Sequence, residues 1–160
     1  MIWDNNIDKV EVKKEYYPSG ALWVETPYVN GKRHGVTKGY YESGALWYES
    51  PYVNGERNGL EKHYYESGDL WYEILYVKGK MHGIAKDYYK SGALMAETPC
   101  VKGKIHGIAK RYYKSGALRC ETPYVNGKKH GISRDYDNDN SNICCVTLYD
   151  KDQEVVSVII

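Results

Sequence analysis

The residues best suited to chemistry in this chain come in sets. A basic residue and a glutamate recur as Lys14/Glu25, Lys38/Glu49, Lys62/Glu73, Lys86/Glu97 and Lys110/Glu121. A polar cluster recurs as Lys32-Arg33-His34, Glu56-Arg57-Asn58, Lys80-Met81-His82, Lys104-Ile105-His106 and Lys128-Lys129-His130. One slot holds Trp23, Trp47, Trp71, Met95 and Arg119, and the next holds Val24, Tyr48, Tyr72, Ala96 and Cys120. Lysine and glutamate can trade protons, but an enzyme does not need one site in five copies. Cross-strand ion pairs, each contributing a few tenths of a kcal/mol, explain the columns better.

The histidines could bind metal only if they converged. Successive loops of a meander lie ~9–10 Å apart, too far for ring nitrogens to share a zinc at ~2 Å. No phosphate-binding glycine loop, His-Glu-x-x-His, nucleophile elbow or Cys-x-x-Cys is present. We therefore expect no catalytic residues, no metal, no cofactor and no small-molecule substrate. Cys100, Cys120, Cys144 and Cys145 are irregularly placed, which is substitution within copies rather than a disulfide framework.

Lys plus Arg number 22 and Asp plus Glu 21, for a net charge of +1, which predicts no nucleic-acid partner. The start, Met1-Ile2-Trp3-Asp4, has no secretory pattern, and no apolar run approaches the ~20 residues of a membrane span. A reduced, cytoplasmic setting is expected.

The elements that must position these sets are short strands. Gly20, Gly44, Gly68, Gly92 and Gly116 stand 24 residues apart, without insertion or deletion. A fixed period of this length marks a repeat array. Each copy has an aromatic and β-branched run such as Val12–Tyr17, a Ser-Gly turn, and a second run such as Ala21–Val29. Pro27, Pro51, Pro99 and Pro123 sit late in the second run, where a missing donor predicts a bulge or weakened pairing. Connectors such as Asn30–Gly35 read as six-residue loops. If Ser19-Gly20 is a two-residue turn, Lys14 faces Glu25; if Pro18-Ser19-Gly20 is a three-residue loop, the pair slips by one.

Phe is absent while Tyr occurs 18 times, which suits surfaces wet on one side. The fold class is all-β: tandem β-hairpin repeats forming an elongated, twisted, single-layer antiparallel meander. Residues 1–160 read as one repeat domain, with repeats over 12–136 and a degenerate C-terminal cap over 137–160. About twelve strands at ~4.8 Å give a ribbon roughly 50 Å long.

Comparison of copies separates scaffold from surface. Turn glycines, Tyr16, Tyr17, Leu22 and Val29 hold still, for backbone and packing reasons. The aromatic slots vary, and are richest in the first three copies. Candidate partner-binding residues are therefore Trp23, Trp47, Tyr48, Trp71 and Tyr72, of the types enriched in binding hot spots. The loops add Lys32, Arg33, His34 and Arg57 as a basic row along one edge, and the cap adds Asp135, Asp137 and Asp139.

The unit Tyr-Tyr-x-Ser-Gly-x-Leu-x-x-Glu-x-Pro-Tyr-Val-Asn-Gly-Lys-x-His-Gly, seen well from Tyr40 to Gly59, resembles the MORN repeat in its bacterial variant form. The resemblance implies stacked β-hairpins in a twisted sheet and no catalytic residues. It also implies a non-catalytic protein-binding module, similar to the immunity or antitoxin component that binds and neutralises a cognate toxin. The alternative it implies is a membrane-surface protein on anionic phospholipid, or a scaffold.

Overall fold

Each hairpin is shaped by two departures from regular pairing. In the first, strands Val10–Tyr16 and Leu22–Val29 are joined through Pro18-Ser19-Gly20. The Gly20 N–H donates to the Tyr17 carbonyl at 2.9 Å, the Tyr17 N–H donates to Ala21 at 2.8 Å, and Gly20 has φ 88°. This is the three-residue loop with glycine in the left-handed region. Lys14 nevertheless faces Glu25, because the register shifts between Glu15, opposite Val24, and Tyr16, opposite Leu22. Trp23 is the extra residue, a β-bulge. The same bulge absorbs Trp47, Trp71, Met95 and Arg119, and Cys144 in the last hairpin. The expectation that a three-residue loop would break the Lys–Glu register is corrected: loop and bulge cancel.

The six-residue connector is also corrected. Asn30 (φ 51°) and Gly31 (φ 76°) form a two-residue turn with both φ values positive, and pairing resumes at once through Val29–Lys32 and Tyr28–Arg33. The break comes later, opposite proline. Pro27 has no N–H to give, its carbonyl accepts from the His34 N–H at 3.0 Å, and a Cβ on Gly35 would stand 3.0 Å from the Pro27 ring. Where Leu75 replaces proline, the facing Gly83 has open space and strand Lys80–Tyr88 runs unbroken. The bulge expected at the prolines is present, but the register shifts by the same two residues at Leu75, so proline against glycine only divides the facing strand into two pieces.

The structure is a computed structural model that describes residues 9–139 and 142–160. Its described residues contain no helix, and the seventeen strands form one antiparallel sheet that runs as a meander in chain order. Four are two-residue pieces that each continue into the next, so the ribbon is thirteen strands wide, about 60 Å at ~4.8 Å spacing. Residues 1–8 of the lead-in, and Asn140 and Ser141, lie outside the described residues. Where the sequence period fails, the hairpin persists. Gly131–Tyr136 pairs with Ile143–Asp150, the Asp137 N–H donates to Asn142 at 3.0 Å, and Gln153–Ile159 adds the last strand.

Neighbouring units are stapled by the Tyr-Tyr pair. Tyr40 Oη donates to Glu25 at 2.7 Å, Tyr64 to Glu49 at 3.1 Å, Tyr88 to Glu73 at 2.9 Å, Tyr112 to Glu97 at 2.8 Å and Tyr136 to Glu121 at 3.1 Å. The second tyrosine, as Tyr17, Tyr41, Tyr65, Tyr89 or Tyr113, donates to a backbone carbonyl one unit on at 2.8–2.9 Å. This accounts for tyrosine where phenylalanine would pack equally well. The Glu column is thus foremost an acceptor for tyrosine. Lys14–Glu25 and Lys38–Glu49 stand at 4.0 and 3.9 Å, and only Arg134–Glu121 closes to 3.1 Å.

Strand alternation gives the two faces different characters. One buries Thr26, Thr37, Ser50, Glu61, Ala85 and Ile74, the last with no exposure at all. The other carries Val12, Val36, Leu60, Ile84, Ile108 and Ile132, one from each unit and 42–53% exposed, beside the prolines and the valines that close each second strand. There is an aromatic face and an aliphatic face, and no second layer among the described residues.

Candidate functional site

A bulge re-aims a side chain, and here it turns the tryptophans onto the aromatic face. Trp23, Trp47 and Trp71 pack against Tyr17, Tyr41 and Tyr65 of their own hairpins, ring centres 6.0–6.2 Å apart. Trp47 then meets the ring of Tyr48 edge-on at 5.2 Å. Tyr48 stacks on His63 at 5.6 Å, and His63 touches Trp71 and Tyr72 at 6.1 and 5.7 Å. Gly39 makes this possible, because a Cβ there would collide with the Tyr48 ring.

The arginines come from the strand pieces that follow the Asn-Gly turns. Arg33 lies over the Tyr52 ring at 5.3 Å and Arg57 over Tyr76 at 5.0 Å. Arg57 Nε donates to Tyr52 Oη at 3.3 Å and reaches Glu61 at 3.2 Å, while its Nη1 donates to Tyr76 Oη at 3.1 Å. Trp23, Trp47, Tyr48, Tyr52, Arg33, Arg57, Glu61 and His63 line one open cleft of about 400 Å³.

Glu61 is the unusual member. It is 4% exposed, and it receives Ser50 Oγ at 2.5 Å and His63 Nε2 at 3.1 Å in addition to Arg57. Burial pushes its carboxyl up, but the His63 and Ser50 hydrogen bonds and the Arg57 charge outweigh that and hold it below the usual range. Tyr52 is similar: burial raises its phenol, while hydrogen bonds from Arg57, Ser50 and Arg33 bring it below its ordinary value. A carboxylate engaged by three partners is an anchor that fixes Arg57 and His63, not a base waiting for a proton. The cleft can bind, with aromatic walls and two oriented guanidiniums.

The residues expected to meet a partner divide. Trp23, Trp47, Tyr48, Arg33 and Arg57 share the cleft, and Trp71 and Tyr72 join through His63. Lys32 lies opposite Val29 at the hairpin end, outside the cleft. His34 is held through its backbone to Pro27, with Nδ1 buried and without a hydrogen-bond partner among the described residues. Asp135 sits opposite Cys120 at the far end, in a smaller cleft of about 340 Å³ with Arg111, Lys129 and Tyr149. Asp137 and Asp139 belong to the adjoining turn.

The basic row along one edge is corrected. Successive residues of a strand point to opposite faces, so Arg33, Arg57 and Lys129 lie over Tyr52, Tyr76 and Tyr149 on the aromatic face, Arg33 and Arg57 remaining exposed to solvent. The histidine slot instead links neighbouring hairpins: His106 Nδ1 accepts from the Asn126 N–H at 3.4 Å, and His130 Nδ1 stands 3.1 Å from Asp150.

Sequence reasoning missed Tyr52, Glu61, His63 and Gly39. The signal was present in the columns. Glu61 is the lone acid among Thr37, Ala85, Ala109 and Ser133, and Gly39 and His63 stand where later copies carry Asp87, Arg111 and Asp135.

The MORN repeat variant model matches residues 12–30, 33–54, 57–78, 81–99 and 105–126, well over half of the chain. The chain belongs to the MORN repeat variant family. Its repeats are those of a binding or scaffold module. No curated protein matches this MORN repeat chain. Among solved structures it is similar to the one titled "Crystal Structure of TarM", at 13% identity and a TM-score of 0.41, covering 61% of this chain and 19% of that one. The chain thus spans about a fifth of that protein, a likeness too slight to argue from.

Proposed function

We propose that this MORN repeat protein binds a protein partner through the aromatic–arginine cleft of its first three units, and that the partner is a toxin which it neutralises in the cytoplasm. One observation carries the reading. On a periodic scaffold, Trp23, Trp47, Tyr48, Tyr52, Arg33 and Arg57 of the first three units line one cleft, and Trp, Tyr and Arg are the residues that dominate binding energetics. Glu61 sets Arg57 in place before any partner arrives, which lowers the ordering cost of association. The free thiols of Cys100, Cys120, Cys144 and Cys145 support a reducing compartment. Arg33 and Arg57 stand over tyrosine rings, which places their charge beside the aromatic cleft rather than in a row with the loop lysines.

The test is co-expression with the captured partner. A partner that arrests growth alone, and is tolerated beside the wild-type chain but not beside a Trp47→Ala/Arg57→Ala variant, supports the proposal. A harmless partner removes the toxin reading. Salt-sensitive sedimentation with anionic liposomes, without any protein partner, replaces it with the membrane reading.

A further inference from the structure

We infer that the aliphatic face is a self-association surface, on which two copies of this chain pack sheet against sheet. Every unit contributes a half-exposed aliphatic side chain there, and Val53, Val77, Val101 and Val125, 41–44% exposed, run alongside them. Val10 and Val156 lie on the same face, and at about 75 Å² each these twelve residues offer roughly 900 Å² in one stripe. The largest apolar patch of an ordinary monomer is about 300–600 Å². About 800 Å² per partner is what a stable interface needs.

Two features point to a second copy rather than to a different protein. The stripe repeats every second strand, about 10 Å, along the whole ribbon, and the surface that matches that spacing at every unit is another such ribbon. Beside the stripe the Lys14, Lys38, Lys62, Lys86 and Lys110 row faces glutamates in equal number, so the border is self-complementary in charge. Aligned sheet packing about 10 Å apart, related by a two-fold axis, would cover the stripe. The aromatic cleft opens on the opposite face and stays available, so this inference stands apart from the proposed function.

Sedimentation velocity of the full chain from 1 to 100 µM, with far-UV circular dichroism to confirm folding, tests it. The expected result is a species of twice the 18.4 kDa chain mass. Ile84→Lys/Ile108→Lys should raise its dissociation constant by ~100-fold or more, with an unchanged spectrum. Leu60→Lys/Ile132→Lys is the second pair should the first misfold, and Trp23→Ala should leave the dimer intact. A wild-type chain that stays at 18.4 kDa throughout overturns the inference. So does a folded stripe variant that remains dimeric, or a dimer lost instead through Ile159→Lys, which lies on the outermost strand opposite Cys145 and faces away from the stripe.

Discussion

Removing one hydroxyl, by Tyr88→Phe, tests whether the tyrosine–glutamate staple holds the units together. Tyr88 Oη donates to Glu73 at 2.9 Å, and burial, then the Glu73 hydrogen bond and charge, push the phenol from 10.0 up to about 12. At ~1.4 kcal/mol per pH unit that shift limits the part of the stability that titrates with Tyr88 to roughly 3 kcal/mol. Part of the shift is desolvation and part is screened by solvent, so the expected loss is about 1–1.5 kcal/mol at pH 7. The folded hydroxyl keeps its proton to about pH 12, whereas the unfolded chain releases it near 10. The stabilisation is therefore complete below pH 10 and drains away as pH rises toward 12. Urea unfolding of wild type and Tyr88→Phe, followed by far-UV circular dichroism at pH 7 and 11, reads both quantities. The deficit should be clear at pH 7 and largely gone at pH 11. A variant as stable as wild type at pH 7, or a deficit of the same size at pH 11, would refute the staple.

Other expectations follow from single contacts. Gly59→Ala should cost at least ~2 kcal/mol more than Gly83→Ala in chemical unfolding, because its Cβ would stand 2.8 Å from the Pro51 ring while Gly83 has open space. Equal costs would mean that backbone conformation, not the proline contact, dictates glycine there. The Glu61 carboxyl is held below its ordinary value, so its contribution is present above about pH 4.5 and lost as acid protonates it. Glu61→Gln should therefore have a lower Tm than wild type at pH 6.5, with the gap narrowing toward pH 3; a gap that widens in acid contradicts the assignment. Gly39→Ala should displace the Tyr48 ring, seen as a changed near-UV aromatic signal with far-UV dichroism retained. An unaltered aromatic signal would show that Tyr48 does not need that space.

The period, the glycine turns and the proline bulges were legible because each depends on residues close together in the chain. Register was not, because a three-residue loop with a bulge at Trp23 puts Lys14 opposite Glu25 just as a two-residue turn does. Length alone could not separate the two. The tyrosine staple was hidden for another reason: the acceptor of Tyr40 is Glu25, fifteen residues back in the preceding unit. The cleft was half visible. Trp23, Trp47, Tyr48, Arg33 and Arg57 stood out as deviations between copies, but a reading of the loops as one basic edge separated Arg33 and Arg57 from the aromatic slots. Shortening the connector to an Asn-Gly turn carries both onto the aromatic face, where Glu61 and His63 await them. A one-residue change of register reverses the face of every side chain that follows.

The cleft's role is tested most directly by calorimetric titration of the purified partner against wild type, Trp47→Ala, and a far-end control, Asp135→Asn. Trp47→Ala removes an aromatic wall, so affinity should fall by about 30-fold or more, the range of a binding hot spot. Asp135→Asn should change it by less than about threefold. A Trp47→Ala variant that binds like wild type, or an Asp135→Asn variant that loses as much, would contradict the assignment of the aromatic–arginine cleft as the binding site.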